Sequence, residues 1–71
     1  MKYLVIYEKN DSGYSAYVPD LPGCTSAGAD KSEIEKNIIE AIQLHIEMMK
    51  EEGLPIPQST SEAKVIELDE V

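Results

Sequence analysis

The sequence predicts a single α+β domain over residues 1–71, with its elements in the order strand, strand, strand, helix, strand. Two observations carry this prediction. Segments within residues 1–29, and again residues 64–71, alternate apolar and polar side chains as pleated strands do. Residues 30–52 instead repeat apolar side chains at three- and four-residue steps, which is typical of an amphipathic helix.

The length of the chain favours self-association. At 71 residues it lies near the lower size at which a single hydrophobic core is self-supporting. We therefore expect a homo-oligomer, a dimer or larger. The sequence alone does not give the oligomer number or the sheet edge used in assembly.

Cysteine content and hydropathy indicate the cellular compartment of the protein. The single cysteine, Cys24, cannot form an internal disulfide, and the first residues lack the charged-then-apolar pattern of a secretory signal. No apolar run approaches the roughly 20 residues that span a bilayer. We expect a cytoplasmic protein with no membrane association.

The first two strands form a hairpin. Residues 1–9, MKYLVIYEK, are largely apolar on both faces, which predicts a strand near the middle of a sheet. Residues 10–13, NDSG, form a turn cluster, and residues 14–18 alternate as the second strand.

A rigid corner, residues 19–23 with the sequence PDLPG, follows the second strand. Pro19 and Pro22 fix φ and lack backbone donors, so strand pairing cannot continue through it. Gly23 then lets the chain leave at almost any angle. Residues 24–29 are predicted as a third strand, whose small side chains allow close approach of another surface.

The helix has a clear start and end. Asp30, three residues before Glu33, is placed to cap a helix that starts at Lys31, and Gly53 ends it after Glu52. Its apolar side is expected to lie across the sheet. Further apolar positions widen this side and suggest a flank buried against a second subunit or a partner: Ile39, Leu44, Ile46 and Met48.

Residues 64–71 are predicted as the fourth strand. Strand–helix–strand connections are nearly always right-handed, which places this strand parallel to the first and beside it. The expected sheet order is 3-2-1-4, an antiparallel three-strand meander plus one parallel strand, with the helix packed on one face.

The charge of the chain constrains its partners. The net charge is −8, and residues 30–71 carry four lysines against eleven acids. There is no arginine, the residue that forks onto phosphates and base edges, so direct nucleic-acid binding is disfavoured. An acidic surface favours a basic partner, although acidity for solubility alone explains it too.

Residues 14–24, YSAYVPDLPGC, together with Gly28, the capped helix and residues 54–57, LPIP, resemble the HicB-like antitoxin family. The likeness extends over essentially the whole chain. It implies a single HicB-like domain with a partial RNase H-like fold. It also implies an antitoxin that neutralises a small basic mRNA interferase of the HicA type by masking its RNA-binding surface.

This sequence departs from many relatives in one respect. They continue into a DNA-binding region, and here nothing follows Val71. We therefore expect no DNA-binding autoregulation by this polypeptide, although another chain can supply it.

Five residues are candidates for the partner-binding surface. Glu40, Glu47 and Glu51 fall on the outer helix face, where they can mimic a phosphate backbone. Asp20 and Leu21 can project onto the partner from the preorganised corner. The alternatives are a merely solvated helix face and an architectural corner in which Leu21 anchors into the core.

Rival functions are an RNase H-like nuclease and an orphan oligomeric interaction domain without a toxin. Two-metal nucleases need converging carboxylates, but the first strand offers only Glu8. A thiolate at Cys24 activated by His45 is also conceivable, yet His45 falls amid the apolar stripe. We predict no enzyme, no catalytic residue, no cofactor and no metal site.

Overall fold

The computed structural model describes residues 1–70, which form one three-stranded antiparallel sheet with a helix on one face. The elements are β1 (Ile6–Asn10), β2 (Gly13–Tyr17), β3 (Thr25–Gly28) and α1 (Lys31–Glu51). The sheet order is β1-β2-β3. The α+β class and the first four predicted elements are therefore confirmed, with shifted strand ends.

The core lies between α1 and the helix-facing side of β2 and β3. Six of the residues 1–70 are buried there: Ala16, Val18, Leu21, Cys24, Ile34 and Ile38. Leu21, Ile34 and Ile38 have no exposed surface. The corner thus contributes the side chain that closes the core, because Leu21 points inward.

Backbone hydrogen bonds within the corner compensate for the donors that its prolines lack. The Leu21 N–H donates to the Val18 carbonyl at 3.1 Å, and the Cys24 N–H donates to the Leu21 carbonyl at 3.0 Å. The Val18 N–H donates back to the Cys24 carbonyl at 3.1 Å. These bonds close the corner into a compact loop that keeps Leu21 oriented toward the helix.

Both ends of α1 follow the sequence signals. The Asp30 side chain accepts a hydrogen bond from the Glu33 N–H at 2.8 Å, which is an N-cap contact. At the other end Gly53 has φ +68°, and its N–H donates to the Lys50 carbonyl at 3.2 Å. The Leu54 N–H donates to the Met49 carbonyl at 2.9 Å, which completes a Schellman motif.

Gly28 explains the small residues of β3. A Cβ atom at this position would lie 2.6 Å from the Ile34 backbone nitrogen and 2.9 Å from its Cα. Because these are backbone atoms of α1, they cannot rotate away. The surface that approaches β3 closely is therefore the first turn of the helix.

The predicted fourth strand is absent from residues 64–70, which have no regular secondary structure and do not pair with β1. In the described residues of the single chain β1 is consequently an edge strand, and its predicted position in the middle of the sheet is not shown. Its residues are exposed apart from Ile6, which is half-buried. Val71 lies outside the described residues.

The position of the helix explains why the face of β1 is not covered. α1 packs over β2 and β3 and does not approach the β1 backbone. Tyr7, on the helix-facing side of β1, is accordingly exposed.

Residues 62–70, which we call the tail, extend away from the domain. The radius of gyration is 14.4 Å, against about 11 Å for a compact chain of this length.

Two contacts fix the segment that leads into the tail. The Tyr3 hydroxyl donates to the Pro57 carbonyl at 2.6 Å. The Asp20 carboxylate accepts hydrogen bonds from the Ser61 N–H and hydroxyl, at 3.0 and 2.9 Å, and from those of Thr60, at 3.2 and 3.1 Å. We call this four-bond contact the Asp20 clamp. The Ser61 backbone bond, aided by the other three against a desolvation cost, lowers the Asp20 pKa below 3.8.

Replacement of Leu21 by alanine is expected to lower the free energy of unfolding by about 2–5 kcal/mol, because it leaves a cavity in the core. Leu44 provides the matched control, since it is 61% exposed. Leu44→Ala should change stability by less than about 0.5 kcal/mol. Urea unfolding followed by circular dichroism measures both. Equal losses in the two variants would show that Leu21 does not close the core.

Protonation of Asp20 should release the clamp. Because its pKa is lowered in the folded chain, the clamp's contribution is complete above the unfolded pKa and is lost as the pH falls through the lower folded value. We expect the amide NMR signals of Thr60 and Ser61 to be constant near neutral pH and to move only below about pH 3.8. Asp20→Asn should move them at neutral pH, whereas Asp11→Asn should not. Signals insensitive to Asp20→Asn would contradict the clamp.

Candidate functional site

The outer side of α1 carries an acidic face, formed by Glu40, Glu47 and Glu51 with Leu44 and Met48 beside them. The glutamates are separated by seven and four residues, so they lie within about 40° of one another around the helix axis. All three are exposed. The structure thus brings together the three helix residues that the sequence nominated.

Exposed apolar side chains interrupt this acidic face. Leu44 is 61% exposed, and Met48 is also exposed. Large apolar groups inside a charged rim are typical of protein interfaces, whose centres are depleted of charge. The widened apolar stripe of the sequence is therefore exposed at these positions in the isolated chain.

The stability of α1 does not account for the acids near its end. Carbonyl groups at a helix C-terminus carry partial negative charge, so acidic side chains there are locally unfavourable. Glu51 lies in the last turn, with Lys50 as the basic residue of that turn. A role for Glu51 outside the helix, in solubility or in binding, fits this position better.

The corner residues are placed differently from the helix residues. Asp20 is half-exposed, but its two carboxylate oxygens already accept the four bonds of the Asp20 clamp. Leu21 has no exposed surface, so it offers nothing for a partner to contact. Projection of Leu21 from the corner does not fit this burial, whereas the architectural alternative does.

The groups weighed for catalysis do not form a centre in the described residues. Within residues 1–70, no three His, Cys, Asp or Glu side chains are grouped so that they could hold a metal ion. Cys24 is buried, and desolvation raises the pKa of its thiol. A nucleophilic cysteine needs the opposite, a lowered pKa and access to solvent.

A second surface lies where the sequence predicted the fourth strand, so only its helix side, at Ile39 and Ile46, was expected to contact a partner. It is an apolar groove of about 690 Å³ along the flank of α1 at the start of β1. We call it the edge groove. Its apolar lining is Met1, Tyr3, Val5, Ile39, Ile42 and Ile46, with Gln43, Glu47 and Lys50 at its border. The excess width of the helix's apolar stripe indicated the helix side, whereas the contribution of residues 1–5 depended on the absence of a fourth strand in the described chain.

In the described range, α1 lacks the long apolar stretch that a bilayer-crossing helix requires.

Comparison with known proteins identifies relatives at the level of sequence. The chain is 48% identical, over 59 residues, to a 14.9 kDa protein from the rep-hol intergenic region of Haemophilus phage HP1. That match covers 83% of this chain but only 44% of the phage protein, so the chain spans less than half of that relative's length. It is also 44% identical over 63 residues to a UPF0150 protein of Thermoplasma acidophilum, covering 87% of this chain and 91% of that protein.

Structural and family comparisons agree with each other. The fold is similar to a chain of the HicA3 and HicB3 toxin-antitoxin complex, with a TM-score of 0.73 and 37% identity over 84% of this chain and 70% of that one. The family described as HicB_like antitoxin of bacterial toxin-antitoxin system matches residues 3–70. The chain therefore belongs to the HicB-like antitoxin family.

Proposed function

We propose that this protein is an antitoxin that binds and neutralises a small basic mRNA interferase of the HicA type, with its acidic face as the binding surface. Family membership supports the antitoxin role, and the similar solved structure is a toxin-antitoxin complex. The observation that carries the choice of surface is the alignment of Glu40, Glu47 and Glu51 around an exposed Leu44.

The mechanism is masking by charge. A nuclease that grips RNA must present positive charge to the phosphate backbone, and a row of carboxylates can occupy that surface instead. From Glu40 to Glu51 the row extends about 16 Å along the helix. The chain's net charge of −8 adds a long-range attraction that speeds encounter with a cationic partner.

Leu44 and Met48 supply the apolar part of the contact. Both are unbranched at Cβ and exposed next to the glutamates, so a partner can bury them while the charges pair around them. Steering by the acids would then set the association rate, and burial of these side chains would set the dissociation rate.

In this proposal the chain performs no chemistry and makes no direct contact with nucleic acid. The protonated thiol of the buried Cys24 supports a non-catalytic role. The chain acts in the cytoplasm, where the toxin meets mRNA. A partial RNase H-like arrangement would need a fourth strand beside β1, and the tail has the alternation to supply one.

A second function, an oligomeric interaction module without a toxin, is favoured by the edge groove and the exposed tail. The two functions differ in what lies next to the coding sequence. A neighbouring short reading frame for a basic protein of domain size favours the antitoxin, and its absence favours the module.

Charge reversal on the acidic face should slow association with the toxin. We expect Glu40→Lys combined with Glu51→Lys to lower the association rate constant at least about tenfold at low salt, with little change in the dissociation rate. Glu47 is left unchanged because it also borders the edge groove. Surface plasmon resonance with an immobilised HicA-type toxin from the same host gives both rates, and inhibition of RNA cleavage gives the functional readout.

The matched control makes the same change in net charge elsewhere. Glu8→Lys combined with Asp11→Lys alters the exposed β1–β2 hairpin instead of the helix. It should retain most of the association rate and the full inhibition of RNA cleavage. Equal slowing by both pairs would mean that only the net charge matters, and the acidic face would lose its role.

Replacement of Leu44 by serine should speed dissociation from the toxin. Loss of a buried leucine contact costs about 1.5–3 kcal/mol, so the dissociation rate constant should rise roughly 10- to 100-fold with little effect on association. Leu54→Ser is the control, since Leu54 is similarly exposed but lies beyond the helix. An unchanged dissociation rate for Leu44→Ser would place the contact on another surface.

A further inference from the structure

We propose that the tail of one copy of this chain pairs as a fourth strand with residues 3–9 of a second copy, and that its apolar side chains pack on the helix side of that edge, in the edge groove and beside Tyr7. The exchange is reciprocal, so two copies form a closed twofold dimer. The proposal concerns self-association and does not depend on the identity of the toxin.

β1 presents a free edge for this pairing. In the described residues it pairs with β2 alone, so one row of its backbone N–H and C=O groups faces outward. Residues 3–5 directly precede it and have no strand partner in the single chain. An added strand could pair with these residues and extend β1 toward the N-terminus.

The side chains of the tail suit the groove beside this edge. Ile66 and Leu68 are two residues apart, so in a strand they point to the same face. They are 69% and 85% exposed in the single chain, so neither side chain is buried within its own copy. The edge groove, lined by aliphatic side chains and Tyr3, is the apolar surface on the helix side of the β1 edge. Pairing along this edge places Ile66 in the groove and Leu68 beside Tyr7, two residues beyond Val5 on the same face, and removes both from water.

One register matches charge as well as hydropathy. If residues 64–70 run parallel to residues 3–9, Ile66 lies beside Val5 and Leu68 beside Tyr7. Glu70 then lies beside Lys9, which places opposite charges at the end of the pairing. A shift by one residue would turn Glu67 and Asp69 toward the groove, so the alternation disfavours the neighbouring registers.

The course of the chain indicates a second copy as the source of the strand. The Asp20 clamp and the bond from Tyr3 to Pro57 fix the chain up to Ser61. Beyond that point the tail leaves the domain, and the molecule reaches 52 Å in its longest dimension. Its own edge groove stays empty of tail side chains. A twofold partner brings an identical edge and groove to the extended segment.

The mass of the 71-residue chain in solution tests the proposal. By light scattering after gel filtration we expect twice the chain mass of 7.9 kDa. Ile66→Ser combined with Leu68→Ser should raise the dimer dissociation constant at least about 100-fold and give the monomer mass. Glu67→Ser combined with Asp69→Ser, on the opposite face of the same segment, should remain dimeric. A monomeric wild type, or a dimer that survives the Ile66 and Leu68 changes, would overturn the proposal.

A second measurement needs no variant and separates exchange between copies from pairing within one. Equal amounts of 13C-labelled and unlabelled chain are mixed after unfolding and refolded together. Isotope-filtered NOEs should connect the methyl groups of Ile66 in one copy with Val5 of the other, and those of Leu68 with Tyr7 of the other. NOEs confined to a single copy would show that the tail folds back, and none at all would leave it to a different occupant; either result rejects the exchange.

Discussion

Contact between α1 and the sheet, closed by Leu21, Ile34 and Ile38, is the interaction on which the rest of the structure depends. Among residues 1–70 only six are buried, and three of them have no exposed surface. Each large aliphatic side chain among them contributes about 1.5–3 kcal/mol on burial, while ordering the backbone costs about 1–2 kcal/mol per residue. So small a core leaves little margin, and the chain must keep the helix close to β3. Gly28 permits this approach, because no side chain there separates the strand from the first turn of α1.

The position of the helix determines both proposed surfaces. Because α1 lies over β2 and β3, its outer side turns to solvent with Glu40, Glu51 and Leu44 exposed. Because it leaves β1 uncovered, its other flank overhangs an open sheet edge and forms the edge groove. A helix centred on the sheet would have covered β1 and removed the groove. The same packing that makes the core small therefore creates the places where partners can add buried area.

Contacts within a few residues made most of the fold predictable from the sequence. The features that were not predicted depend on contacts between residues far apart in the chain. Asp30 and Gly53 bound the helix through contacts within a few residues, and the corner's prolines end strand pairing by themselves. The tail alternates as a strand should, yet pairing requires an edge and a path to it, and neither is encoded within the segment. The Asp20 clamp joins residues forty positions apart and has no sequence signature. Among the site residues, the outer helix face followed from periodicity, whereas the direction of Leu21 depended on the packed core.

The two proposed surfaces lie on different flanks of α1, so occupation of one does not by itself block the other. Leu44 and Met48 belong to the acidic face, and Ile39, Ile42 and Ile46 line the edge groove. A strand-exchanged dimer would carry two acidic faces on one particle. Its second face would bind an assembled or locally concentrated toxin at a raised effective concentration. Glu47 borders both surfaces, so substitution of Glu47 would alter both at once and would not distinguish toxin binding from strand exchange.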